Sequence, residues 1–138
     1  MNPLSIVQKV LLVLAGLSGS ISILLGAIGA HWLKDKLNYW ELHSFETGVK
    51  YQMYHTLALL IVVLLLDRFP SKVIEWSGYS FVIGIIVFSG SLYLLSLKSL
   101  LNMEKLSMLG PITPIGGLTF IIGWLLLVIA VIINWRQS

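Results

Sequence analysis

Four stretches of this chain contain no Asp, Glu, Lys or Arg: Val10–Leu33, Tyr51–Leu66, Trp76–Leu97 and Leu106–Trp135. Together they take up most of its 138 residues. An apolar helix needs roughly 20 residues to cross a hydrocarbon core about 30 Å thick. The chain therefore reads as an all-α integral membrane protein, a four-helix transmembrane bundle with no room for a soluble domain. Only 11% of its residues are charged, and its mean hydropathy is +0.92. A soluble fold of this size has nowhere to hide so much apolar surface, so the lipid bilayer is its expected partner.

Composition excludes several functions. There are no cysteines, so disulfides, thiolate metal sites and Cys nucleophiles are ruled out. The net charge of +3 is scattered through the connections and forms no basic block, so nucleic-acid binding is not supported. Ala27-Ile28-Gly29 resembles a signal cleavage site, but the uncharged run before it exceeds the roughly 7–15 residues of a signal's apolar region. Helix 1 is therefore expected to be retained.

The expected spans cover residues 6–32, 46–68, 73–97 and 112–135 in a single membrane domain. Helix 1 is rich in small residues. Gly19, Ser22, Gly26 and Ala30 recur at spacings of three and four, which places them on one face. In lipid such a face lets a neighbouring backbone come close, so helix 1 is expected at the centre of the bundle. Between helices 1 and 2, Leu33, Leu37 and Trp40 alternate with charged residues as a short amphipathic segment would at the headgroups. Two closely spaced prolines, Pro111 and Pro114, mark the entrance of helix 4, where missing N–H groups cost nothing.

Tracing four spans puts both termini and the helix 2–3 connection on one side. Trp76 and Trp135 then flank one interface, and Trp32 and Trp40 the other. Trp124 falls mid-helix and is assigned to packing. Lys and Arg divide almost evenly between the sides, so the positive-inside rule assigns no orientation.

Helix 2 carries the chemistry of interest. Its purely apolar part, Leu57–Leu66, is too short to span, so polar residues must be drawn toward the membrane. Glu46 and Lys50 stand in the favourable order for an i, i+4 ion pair. Thr47, Tyr51 and His55 form a second row. Ionisable groups inside a span are costly and often functional. With His31 on the same side, they define a candidate polar or ligand site of His31, Glu46, Lys50, Tyr51, Gln52 and His55. The competing reading is an interfacial surface, because the row starts near the headgroups. No pair among His31, His43 and His55 has the i, i+4 spacing of a preformed chelate, so no metal site is assigned. No catalytic residue is assigned either, and a cofactor is left open.

The motif Gly26-Ala27-Ile28-Gly29-Ala30-His31 resembles the GAFGAH motif of a small bacterial membrane family, domain of unknown function 423, also called YgdD-like and similar to eukaryotic transmembrane protein 256. Three further stretches match its pattern, in order. They are Phe45–His55, Gly90–Leu95 and Leu109–Gly117. The chain departs from the family at Ile28, where Phe is common, and within Glu46-Thr47-Gly48. The resemblance implies a four-helix protein of the bacterial cytoplasmic (inner) membrane and supplies no activity. It also singles out His31, Tyr51, Gln52 and His55 as motif positions.

Three functions remain in order of expectation. The first is a structural or accessory membrane component, packing as a homo-oligomer or in a larger membrane complex. The second is a small-ligand binding or transport module with its site between helices 1 and 2. The third is a membrane enzyme acting on a lipid or quinone through Glu46 or His55.

Overall fold

The computed structural model describes residues 3–135. Helix α1 (Ile6–Ile28) runs on through a π turn, Gly29–Leu33. Helix α2 (Tyr39–Arg68) is continuous. The third span consists of α3 (Lys72–Gly84), a second π turn (Ile85–Ser89) and α4 (Gly90–Leu97). A 3₁₀ turn (Glu104–Leu109) leads into α5 (Ile112–Trp135). Among the described residues, four helices are thus long and apolar enough to cross a membrane. The side chain of Trp135 and the whole of Arg136 lie outside the described residues, so the aromatic-belt and charge expectations there stay with the sequence. The exposed Trp32, Trp40 and Trp76 are at the helix ends.

Local chemistry sets the ends. Ser5 and Gln8 form a capping box that starts α1, and Gln8 Nε2 also donates to the Val63 carbonyl at 3.2 Å, tying the start of α1 to the end of α2. Asn38 and Glu41 form the same device at the start of α2. That cap carries α2 two turns further out than Phe45. The connection after α1 is accordingly no separate helix: Leu33 and Leu37 fold inward onto Phe45, while Trp40 is exposed on the first turn of α2.

The spans pack in chain order, α1 on α2, α2 on the third span, and the third span on α5. Helix α2 holds the centre, not α1. In the most apolar stretch, 44% of the second span is buried, against 17% for the first. The small residues of α1 bring it close to a single neighbour and do not surround it with several. Gly19 faces Thr56, Gly26 faces Val49, and Ser22 Oγ donates to the Val49 carbonyl at 3.1 Å. Ala30 is exposed, and Gly29, three residues from Gly26, meets the Phe45 ring in its place.

The second π turn has a larger effect. Gly90 N–H donates to the Ile85 carbonyl five residues back, so the helix accommodates one extra residue. Before it, Ser77 Oγ donates to the Gly123 carbonyl of α5 at 2.8 Å. At its last residue, Ser89 Oγ donates to the Gly48 carbonyl of α2 at 2.8 Å. Gly116 is what allows α5 to lie against this turn: a Cβ there would sit 2.4 Å from the Phe88 amide nitrogen.

Candidate functional site

Two polar clusters branch from α2 at mid-membrane, and Gln52 is the hub of the first. Its Nε2 donates to the Ser18 carbonyl at 3.0 Å and to Ser18 Oγ at 3.3 Å. Its Oε1 accepts from Tyr93 OH at 2.6 Å, and its carbonyl accepts from Thr56 Oγ1 at 2.8 Å. Because Thr56 spends its proton there, Ser18 must donate across the 2.7 Å contact to Thr56 Oγ1. Every donor then has an acceptor, and α1, α2 and α4 are joined at one point. Tyr93 reaches Gln52 past Gly48, where a side chain would collide with the phenol ring.

His55 organises the second cluster, toward α5. Its Nδ1 lies 2.7 Å from the Tyr51 carbonyl, and its Nε2 lies 3.2 Å from Trp124 Nε1. A carbonyl can only accept and an indole N–H can only donate. The ring is therefore neutral, with its proton on Nδ1 and its Nε2 lone pair turned to Trp124. The imidazole stacks on Phe120 with centroids 3.5 Å apart and planes 7° from parallel. Phe81, Tyr51 and Trp124 surround it at 5.4–6.1 Å.

Beside this stack lies a groove of about 580 Å³, lined by Tyr51, His55, Phe88, Pro114, Phe120 and Trp124 among others. It opens toward lipid. A second groove, of about 260 Å³, lies between α1 and the third span and is lined chiefly by Leu14, Leu17, Ile21, Val82 and Ile86, with Gln52 at its edge.

The six candidate residues thus divide. Gln52 and His55 are buried, Tyr51 lines the groove, and His31, Glu46 and Lys50 are exposed. No Glu46–Lys50 ion pair forms; among the described residues the one salt bridge is Lys72–Glu75. His31 sits in the π turn at the end of α1, outside both clusters. The partners that complete the clusters come from other helices. Ser18 and Tyr93 complete the first, with Thr56 of α2 itself, and Phe81, Phe88, Phe120 and Trp124 the second. Tyr93 lies within a family-like stretch, which was the one available signal. The aromatics had none, since spacing along one helix does not reveal what another helix brings to it. Among the described residues no buried side-chain polar atom lacks a partner, and no three His, Asp or Glu residues converge as metal ligands.

Comparison with known proteins adds a second line of argument. Residues 25–117 match the family model described as "Protein of unknown function (DUF423)". A UPF0382 membrane protein of Staphylococcus epidermidis is 44% identical over 89% of this chain and 95% of its own length. The UPF0382 membrane protein YwdK of Bacillus subtilis is 39% identical over 91% and 98% respectively. The UPF0382 inner membrane protein YgdD of Escherichia coli strain K12 is 36% identical over 91% of each. No solved structure matches.

Proposed function

Because the chain belongs to the DUF423 family, whose members are membrane proteins with no established activity, we propose that it works as a non-catalytic accessory component of the cytoplasmic membrane. The inner-membrane location follows the name of the Escherichia coli relative. One observation carries the accessory role. Beyond the small residues α1 turns to α2, it turns Gly16, Ser20, Ala27 and Ala30 outward on one face, two on either side of the exposed Ile23. Ser20 Oγ donates to the Gly16 carbonyl at 2.9 Å, so the stripe presents no free polar group. Lipid gains little from such a surface, whereas a second transmembrane helix can approach it closely and gain dispersion contacts.

The polar clusters support the same reading. Their donors and acceptors are spent on one another, which suits a scaffold and leaves no nucleophile beside a free base. The partner is a second copy or a helix of a larger complex. A photoreactive residue at position 16 or 20, activated in native membranes, is expected to crosslink to such a helix. The same probe at Val10, exposed on another side of α1 and outside both grooves, is expected to label lipid. Equal protein labelling from both faces would remove the basis for the proposal.

A second reading, a small-ligand binding module, is favoured by the groove at His55. It moves the site expected between helices 1 and 2 to the space between α2 and α5.

A further inference from the structure

We infer that the groove between α2 and α5 seats one acyl chain of an aminophospholipid from the leaflet on the His31 side, with Lys50 meeting the lipid phosphate. The inference rests on the second reading above and is independent of the accessory role.

Length is the first argument. The lining of the groove along α5 runs from Pro114 to Trp124. Ten residues at 1.5 Å each cover about 15 Å, half of a bilayer core of about 30 Å. Pro114 lies in the first turn of α5, at the interface, and Trp124 is at its middle. The groove therefore extends from the headgroups to the midplane and stops there, closed by the His55–Trp124 pair. A chain belonging to one leaflet has that reach.

The chemistry of the lining agrees. Trp124 is 47% exposed and Tyr51 40%, so the groove is open sideways to lipid and its occupant enters from the bilayer. Both ring nitrogens of His55 are already committed, to the Tyr51 carbonyl and to the indole. Nothing at the deep end calls for a polar group, and flat rings offer a hydrocarbon chain dispersion contact along its length. A volume of about 580 Å³ lies within the usual range of ligand pockets, roughly 300–1,000 Å³.

Charge selects the headgroup. Lys50 is exposed on the lipid-facing arc of α2 one residue before Tyr51, and no carboxylate pairs with it among the described residues. It lies five residues from His55 toward the interface, about 7 Å along the helix, and its flexible stem lets the ammonium rise to phosphate depth. Glu46 is on the same arc one turn further out and also exposed. A phosphate below and an ammonium above match this order of charges, which is the arrangement of a zwitterionic aminophospholipid.

Native mass spectrometry of the full chain, delipidated and then titrated with phosphatidylethanolamine or phosphatidylglycerol, tests this. One phosphatidylethanolamine is expected to be retained per chain, in preference to phosphatidylglycerol. Gly117→Leu should abolish retention by filling the groove, since a Cβ at Gly117 meets nothing closer than 3.7 Å and leaves the packing intact. Lys50→Gln, an exposed change that does not disturb the core, should weaken retention about fivefold, as losing about 1 kcal/mol of cation–headgroup attraction implies. Undiminished retention in Gly117→Leu would overturn the groove assignment. Equal retention of the two lipids, or no effect of Lys50→Gln, would overturn the headgroup assignment. A retained molecule without phosphate, displaced by Gly117→Leu, would overturn the inference while leaving the binding reading standing. No adduct of any kind would overturn both.

Discussion

Gln52 and His55 stand three residues apart on α2 and are almost equally buried, at 4% and 5% exposed. Their surroundings differ in kind. Gln52 is held by groups that are themselves buried or half-buried, from three helices, and each of those groups depends on the others. His55 is held on one side by its own helix and on the other by Trp124, which is half open to lipid. Burial alone does not distinguish a structural polar residue from one at a usable site. What separates them is whether the last partner in the hydrogen-bond chain is locked by packing or can turn away. The Gln52 cluster joins the spans, whereas the His55 cluster borders a space that another molecule can enter.

That contrast can be broken first at its support. Gly116→Val forces α5 away from the Phe88 backbone and is expected to cost about 3 kcal/mol, the upper range for overpacking. Thermal unfolding in detergent should show the loss, and labelling of the groove side should rise while the Tyr93–Gln52 contact persists. Loss of that contact at the same time would mean the two clusters are not independent.

Gln52→Leu comes next. It removes three side-chain hydrogen bonds between helices, and at about 0.6 kcal/mol for each such bond in lipid the cost is about 2 kcal/mol. Adding Tyr93→Phe should recover part of this, because removing both partners spares the cost of an orphaned hydroxyl. Strict additivity in the double-mutant cycle would show that the two side chains do not interact. His55→Phe should be milder, within about 1 kcal/mol, since it loses one interhelical bond and keeps the stack on Phe120. It should also shift the emission of Trp124, whose N–H loses its acceptor. A destabilisation as large as that of Gln52→Leu would erase the distinction between the clusters.

The two halves of this picture were unequally legible in the sequence. The four spans and the membrane setting followed from the missing charges. So did attention to Tyr51, Gln52 and His55, because polar residues had to enter the bilayer for helix 2 to span it. The way helix 2 is turned about its axis did not follow. Glu46 and Lys50 share that helix with Gln52 and His55 but project from its outward arc. The central place expected for α1 failed for a similar reason: small residues record how near a neighbour comes and are silent on how many neighbours there are. Spacings of three and four from Gly26 reach Gly29 and Ala30 alike, so which of the two meets the packing face was hidden. The same limit concealed Phe88, Phe120 and Trp124, which read as ordinary apolar positions until another helix is placed beside them.

The π turn at Ile85–Ser89 gives the third span a splice point. Ahead of it Ser77 binds α5, and at its end and beyond it Ser89 and Tyr93 bind α2. With the same residues wound as an unbroken α-helix, everything downstream would turn by about 100°, one residue's share of a 3.6-residue turn. Tyr93 would then leave Gln52, although no residue of the cluster had been changed. Shortening the turn by one residue would instead restore a regular helix with Tyr93 still facing Gln52, so the extra residue and the turn that absorbs it belong together.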